Sequence, residues 1–151
     1  MPAQAFHALG ETLTKALITG DFGLYRSVLS LPMTFTPKYD KPYTLPDEAA
    51  LRTDFDLYAS TLQVHRVTDI YRQVLGFDQL DDGRVWVRLT THILVSATLL
   101  VEPFPTRMLL RRDSDGWRIV EIESSLGHLN WTLGRATVSD SGGFEAKETE
   151  G

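Results

Sequence analysis

The segment that most constrains the fold is residues 67–126, in which four long runs of β-forming residues are separated by turn signals. Asp82-Gly83 lies between the first two runs and favours a two-residue type I′ hairpin, because both central residues of that turn need positive φ. Residues 102–105 include two prolines and end the second run, since proline has no N–H for a strand ladder. Gly116 closes the third turn. The segment therefore predicts a mainly antiparallel sheet.

Counting outward from these turns predicts which residues lie opposite each other. The predicted pairs are Val74 with Thr91, Arg72 with Ile93, Ala97 with Leu110, Leu99 with Met108, Leu110 with Val120, and Arg107 with Glu123. The last two pairs assume a three-residue loop with a bulge at the third turn. A four-residue loop would shift that register by one residue and reverse the facing of one strand.

The two faces of the predicted sheet differ in character. One is largely apolar and is expected to face the core: Ile70, Val74, Leu89, Ile93, Val95, Ala97, Leu99, Met108, Leu110, Val120 and Ile122. The other mixes charges with large apolar side chains, which a solvated face would carry less often. We therefore predict a homodimer through this second face, with Leu94, Leu109 and Trp117 in the interface.

The residues before the sheet carry helical patterns. Apolar stripes at three- and four-residue spacing predict a first helix ending at Gly20 and a third helix ending near Gln63, and a short second helix is predicted over 22–29. Asp21 is the predicted N-cap of the second helix and Thr44 that of the third. Pro32 ends the second helix, and short strands follow at 33–36 and 43–45. The predicted fold class is α+β, with three N-terminal helices packed on a strongly bent sheet.

Length and composition limit the function classes. A chain of 151 residues predicts one domain, over 1–133, followed by a flexible polar tail over 134–151. Residues 127–133 carry no clear pattern. The absence of cysteine excludes a thiolate nucleophile, and a net charge of −5 argues against nucleic-acid binding. We expect no signal peptide, no membrane span, no cofactor and a cytoplasmic location. The four histidines lack metal-ligand spacing, so no metal site is predicted.

The order of elements resembles the NTF2-like superfamily, also called SnoaL-like or cystatin-like. The local matches are Gly20-Asp21-Phe22 between the first helices and residues 115–119, Asp-Gly-Trp-Arg-Ile, at the start of the last strand. The resemblance covers residues 5–126 and implies a curved sheet that wraps the helices into a cone with an apolar pocket. Members include isomerases, dehydratases, cyclases and non-catalytic binding domains, so the fold does not give the function.

The ketosteroid-isomerase type within this superfamily has a tyrosine in the first helix and an aspartate base after the first strand. Leu13 and Pro37 stand at those places here, and Asp40 lies in a predicted turn. The resemblance therefore does not carry that mechanism over to this chain.

Six residues are predicted to line a ligand pocket: Tyr25, Phe35, Tyr43, Tyr58, Arg72 and Thr91. Aromatic side chains with one polar end suit a pocket mouth, although ordinary core packing is the competing interpretation. Arg72 falls on the core face, where a cation needs a partner. A carboxylate-bearing ligand would supply one, as would Asp54 or Asp56 of the third helix.

The carboxylates of the strands, Asp69, Glu121 and Glu123, fall on the non-core face and are expected to pair with Arg107 and Arg111. His92 shares that face and is the one candidate catalytic base, since a bulge would turn it inward.

Two functions remain open at this point. The first is a non-catalytic small-molecule-binding or interaction domain, whose ligand is small and apolar or carries a carboxylate. The second is an isomerase, dehydratase or cyclase that acts on a small apolar substrate. An enzyme requires an acid–base group inside the cone, and the predicted facing places no carboxylate there.

Overall fold

A computed structural model of the chain describes residues 3–36 and 42–124, together with two short strands at 136–138 and 144–146. The helices are α1 (Ala3–Thr19), α2 (Phe22–Val28) and α3 (Glu48–Val64). The strands are β1 (Leu29–Thr36), β2 (Tyr43–Leu45), β3 (Asp69–Gln79), β4 (Val85–Val95), β5 (Thr98–Leu99), β6 (Phe104–Asp113), β7 (Gly116–Ser124), β8 (Ala136–Val138) and β9 (Phe144–Ala146). Pro37, Asp40, His128 and residues 127–133 lie outside the described residues.

One seven-stranded sheet runs in the order β2-β1-β7-β6-β4-β3, with β5 paired to β4. The β1–β7 contact is parallel, and the other contacts in this sheet are antiparallel. The helices bury their apolar stripes with the inner face of the sheet in one core. The predicted α+β class is confirmed.

Helix boundaries follow local chemistry. Gly20 adopts a φ of +73° after α1, and the Asp21 side chain accepts a hydrogen bond from the Leu24 N–H at 3.1 Å. The predicted Thr44 cap is wrong, because Thr44 lies in β2. Asp47 caps α3 instead and accepts from the Ala50 N–H at 2.9 Å.

The first strand begins at Leu29, four residues earlier than predicted. Leu29 pairs with Ile119, and the register between β1 and β7 then shifts before Thr34. Pro32 falls inside that irregular stretch, where a missing N–H removes no ladder hydrogen bond. Proline therefore did not end the preceding helix, which stops at Val28.

The β3–β4 turn lies where Asp82-Gly83 predicts it, but its loop has three residues. The Leu80 N–H donates to the Arg84 carbonyl at 2.7 Å, and Gly83 has a φ of +88°. A three-residue loop with a left-handed glycine is the next most common hairpin connection. This loop and a bulge between Val74 and Gly76 place Arg72 opposite Thr91, and the predicted Arg72–Ile93 and Val74–Thr91 pairs are wrong.

The β4–β6 register departs furthest from the prediction. The chain turns at 96–97, where Ser96 has a φ of 55°, and β5 folds back on β4. As a result β6 pairs with the first part of β4, from Val85 to Thr91, and Leu110 lies opposite Val85 rather than Ala97. Leu99 is exposed, as are Ala97 and Val74, so these three do not belong to the core.

The β6–β7 register matches the prediction at one end. Arg107 pairs with Glu123 and Met108 with Ile122, as predicted. A register shift between Leu109 and Leu110 then places Leu110 opposite Ile119 rather than Val120. Two further side chains change roles through this shift: Ile119 is fully buried, and Trp117 packs against the core.

No helix among the described residues is both long and apolar enough to cross a membrane.

β8 and β9 pair with each other inside the segment predicted as a tail, most of which lies outside the described residues. The division at residue 133 and the cytoplasmic location stay predictions.

Candidate functional site

The helices and the inner face of the sheet line a mainly apolar cavity of about 100 Å³. Its walls come from α1, α2, α3 and from strands β1, β3, β4, β6 and β7. The lining residues are Leu13, Leu17, Tyr25, Phe35, Thr36, Tyr58, Ile70, Arg72, Thr91, Phe104, Thr106, Met108, Ile122 and Ser124. A dry, fully apolar cavity that accommodates benzene has about 150 Å³, so this smaller space suits at most a single small ring.

Five of the six predicted pocket residues lie together in this wall: Tyr25, Phe35, Tyr58, Arg72 and Thr91. Tyr43 does not line the cavity. Its ring stacks on Phe35 with centroids 5.5 Å apart, and it is buried in the core. Whether any of the six binds a ligand stays a prediction.

Arg72 is the one cationic side chain among the lining residues. Its Nη1 donates to the Gly10 carbonyl at 3.0 Å and to Thr14 Oγ1 at 2.6 Å, which ties β3 to α1. Its buried Nε has no hydrogen-bond partner. Burial lowers the pKa of Arg72 from 12.5 to about 10, and the Asp69 carboxylate acts in the opposite direction. The group therefore stays charged at neutral pH in a place that disfavours charge.

A hydroxyl pair lies opposite Arg72 in the cavity wall. Thr91 Oγ1 and Thr106 Oγ1 are 2.9 Å apart, and both side chains are buried. Such a pair uses one hydroxyl proton and leaves the other available to an acceptor. Thr106 was missed by the sequence reasoning because the predicted β4–β6 register was wrong.

Asp54, which the sequence offered as a partner of Arg72, is a buried carboxylate of α3 and does not line the cavity. It is 1% exposed and accepts a hydrogen bond from the Tyr43 hydroxyl at 3.0 Å. Burial, with Tyr58 and Asp54 nearby, holds the pKa of Tyr43 well above its usual value. Burial and the Asp54 charge do the same to the pKa of Tyr25. The sequence signal for the burial of Asp54 is its position four residues before Tyr58, in the buried stripe of α3.

His92 lies on the outer face of the sheet, because it alternates with the inward-facing Thr91 and Ile93. Its ring is 5.3 Å from that of Tyr71, and its buried Nε2 has no hydrogen-bond partner. No bulge turns it inward, since the register from Asp69 to Val74 is continuous. His92 therefore does not face the cavity.

The outer face also carries ion pairs. Arg107 binds Glu123 at 2.8 Å and lies over the Trp86 ring at 4.1 Å, in agreement with the predicted pair. Arg111 instead bonds to Ser30 Oγ at 2.6 Å. Burial and the neighbouring Glu123 raise the pKa of Glu121. Glu123 therefore pairs with Arg107 on the outer face, and neither Glu121 nor Glu123 lines the cavity.

The predicted interface residues do not share one exposed surface. Leu109 is 4% exposed within the single chain, and Trp117 packs against the core on the inner side. Leu94 is half-buried on the outer face beside Leu99, which is 43% exposed. An interface on this face would therefore rest on Leu94 and its neighbours.

A second cavity of about 510 Å³ lies between α1 and β3. Its wall is more polar and includes Lys15, Glu11 and Asp69. Arg72 borders both cavities, so its side chain separates the apolar interior from this outer space. No group of three or more metal-ligating side chains occurs in the part of the chain that the structure describes.

No protein-family model and no curated protein matches the chain. Solved structures do match. An NTF2-like protein of unknown function from Shewanella oneidensis has a TM-score of 0.58 at 13% identity and covers 83% of this chain and 99% of its own. A Streptomyces avermitilis protein assigned as an NTF2-like dehydratase has a TM-score of 0.58 at 15% identity, with coverages of 80% and 92%. A Thiobacillus denitrificans protein assigned as a calcium/calmodulin-dependent protein kinase type II association domain has a TM-score of 0.63 at 15% identity, with coverages of 80% and 93%.

These similarities establish the fold: the chain has the NTF2-like fold, with three helices in an open cone of mixed sheet. The neighbours differ in the activities assigned to them, and identities of 13–15% do not transfer any of those activities.

Proposed function

We propose that this protein is a non-catalytic binding domain of NTF2-like fold that takes a small, mainly apolar molecule into the cone. The observation that supports this is the apolar cavity inside the fold, bounded by Leu13, Leu17, Ile70, Phe104 and Met108. Small-molecule sites are concave and mostly apolar, with a few polar groups that fix the orientation of the ligand. Arg72 and the Thr91–Thr106 pair are among the polar groups of its wall.

Binding can be tested with toluene and methyl-labelled methionine. Met108 lines the cavity, whereas Met33 is fully buried in the core away from it. Toluene is expected to shift the NMR signal of the Met108 methyl group and leave that of Met33 unchanged. Leu17→Phe, which fills the cavity, should weaken the shift, and Val64→Phe on the exposed end of α3 should not. An unchanged Met108 signal at saturating toluene would contradict the proposal.

An enzyme is the second candidate, and the buried Asp54 favours it. Asp54 bonds to Tyr43, Tyr43 is hydrogen-bonded to Tyr58, and Tyr58 lines the cavity. This series of hydrogen bonds ends at the Tyr58 hydroxyl in the cavity wall, where it would serve as a proton donor to a substrate carbonyl, as an isomerase, dehydratase or cyclase requires.

Proton exchange distinguishes the two candidates. An enzyme of this kind should catalyse deuterium incorporation beside the carbonyl of cyclohexanone in D₂O, and Tyr58→Phe should abolish it. Arg88→Met, on an exposed strand position, should leave the rate unchanged. A wild-type rate equal to that of buffer supports the binding domain.

We also propose that the protein forms a homodimer through the outer face of the sheet. Leu94 and Leu99 adjoin each other there, and Tyr71 is 54% exposed on the same face. Leu109→Asp cannot test this, because Leu109 is buried within one chain. Sedimentation of wild type, Leu94→Asp and the exposed control Val64→Asp can: only Leu94→Asp should dissociate the dimer, and a monomeric wild type at micromolar concentration refutes it.

A further inference from the structure

We infer that the molecule bound in the cone is a small carboxylic acid whose carboxylate binds Arg72. This inference rests on the proposed binding function and adds the chemical class of the ligand. Arg72 provides the cationic end of a mainly apolar cavity, directly across the strand pair from Thr91.

The guanidinium of Arg72 has hydrogen-bonding capacity that the protein leaves unused. Guanidinium carries five N–H donors, and the two bonds that the structure shows both come from Nη1. The buried Nε has no acceptor. A buried donor without a partner destabilises the folded state, so an acceptor supplied by a ligand removes a penalty that the empty protein carries.

The positive charge of Arg72 also lacks an ion-pair partner among the described residues, since no carboxylate oxygen there lies within salt-bridge distance. The partners that the sequence suggested are engaged elsewhere. Asp54 accepts from Tyr43, and Asp56 pairs with Arg52 at 3.4 Å. Asp69 acts on Arg72 from a distance, while its Oδ1 accepts from the Ile70 N–H. A ligand anion would therefore meet a cation that is not already neutralised.

The cavity selects a carboxylate over larger anions. Its volume of about 100 Å³ is below the roughly 150 Å³ of a cavity that takes up benzene, so the ligand has at most one small ring and its anionic head group must be small. A carboxylate matches the planar donor fork of guanidinium, and it carries one charge to be desolvated where a phosphate carries up to two. The spare hydroxyl proton of the Thr91–Thr106 pair is a second donor beside Arg72, because Thr91 is its partner on the neighbouring strand. The class is thus a one-ring or short-chain monocarboxylate.

The test compares benzoate with its neutral isostere benzamide, on wild type, Arg72→Met and the control Arg88→Met. Both probes have the same shape, so a difference in affinity reports on charge. Titration calorimetry of the wild type is expected to show benzoate binding at least tenfold more tightly than benzamide. Arg72→Met should remove that preference, whereas Arg88→Met, which breaks only an exposed pair with Asp78, should keep it.

Toluene separates the possible failures. If toluene shifts the Met108 signal and benzoate has no preference over benzamide, the carboxylate assignment is overturned and the proposed binding function stands. If none of the three probes binds, both fail. The assignment is also overturned if Arg72→Met still binds benzoate more tightly than benzamide. The same holds if benzoate shifts only the NMR signals of residues that line the second cavity, such as Phe6 and Val74.

The fold of the variant needs its own check. Toluene binding to Arg72→Met shows that the cavity is intact. If Arg72→Met does not bind toluene, Arg72→Lys is tested in its place, because lysine keeps the charge without the planar fork. An intermediate preference for benzoate is then expected, and a preference equal to that of wild type would contradict recognition by the fork.

Discussion

Replacing Arg72 with methionine is expected to stabilise the protein without a ligand, although most single substitutions destabilise a folded protein. Methionine has a similar length and is apolar, so it fills the same space between β3 and α1 without a charge. The folded state then no longer has to desolvate a guanidinium that has no counter-ion among the described residues. Replacing buried charges with apolar side chains of similar volume is often neutral or stabilising.

The magnitude follows from the pKa of Arg72, which burial lowers from 12.5 to about 10. At about 1.4 kcal/mol per pKa unit, charging this group costs the folded state roughly 3 kcal/mol. Methionine loses the two Nη1 hydrogen bonds, worth about 1 kcal/mol each. The net gain is on the order of 1 kcal/mol. Because the lowered pKa is still about 10, the penalty is fully present at pH 7 and pH 9, and it is relieved only as the pH rises from 10 towards 12.5.

Urea unfolding followed by tryptophan fluorescence measures this change. A gain of about 1 kcal/mol raises the midpoint by roughly 0.5 M at the slopes usual for a domain of this size. Arg88→Met is the matched control, because it breaks an exposed ion pair of 2.7 Å and should lower stability by about 0–1 kcal/mol. A midpoint for Arg72→Met below that of Arg88→Met would show that the charge stabilises the empty fold, and the reasoning on ligand recognition would lose its basis.

Three further predictions concern the core. Thr91→Val should lower the free energy of unfolding in urea by about 1–3 kcal/mol, because it leaves the buried Thr106 hydroxyl without its partner. The double variant with valine at both positions should lose less stability than Thr91→Val alone, and equal losses would contradict this. The raised pKa of Tyr25 makes stability fall above pH 10, where the unfolded chain ionises first, so Tyr25→Phe should reduce that fall by about 1.4 kcal/mol per pH unit. Phe55→Ala should cost about 3–5 kcal/mol and Val64→Ala almost nothing, since Phe55 is 1% exposed and Val64 is 64% exposed.

The candidate site was predictable where it depended on local patterns. Tyr25 and Tyr58 lie on helical stripes, and a stripe of given period can face only one way once the helix packs on the sheet. Arg72 was placed inward correctly even though its predicted partner was wrong, because an error of two residues in the register preserves the facing of a strand. Asp54 was offered as a partner of Arg72, but it accepts from Tyr43 instead, and this contact between two different elements is not recorded in any local pattern.

The sequence by itself determined the types and order of the main elements and the positions of the β3–β4 and β6–β7 turns, because hydrophobic period and turn chemistry are properties of neighbouring residues. It also determined the pairing of Arg107 with Glu123. Tertiary structure decided the rest: the slide of β6 along β4, the bulges beside Leu75 and at Val120, and the inward turn of Trp117. These depend on loop geometry and on contacts between residues far apart in the chain. A single extra residue in a strand reverses every facing beyond it, and no local pattern records where that residue falls.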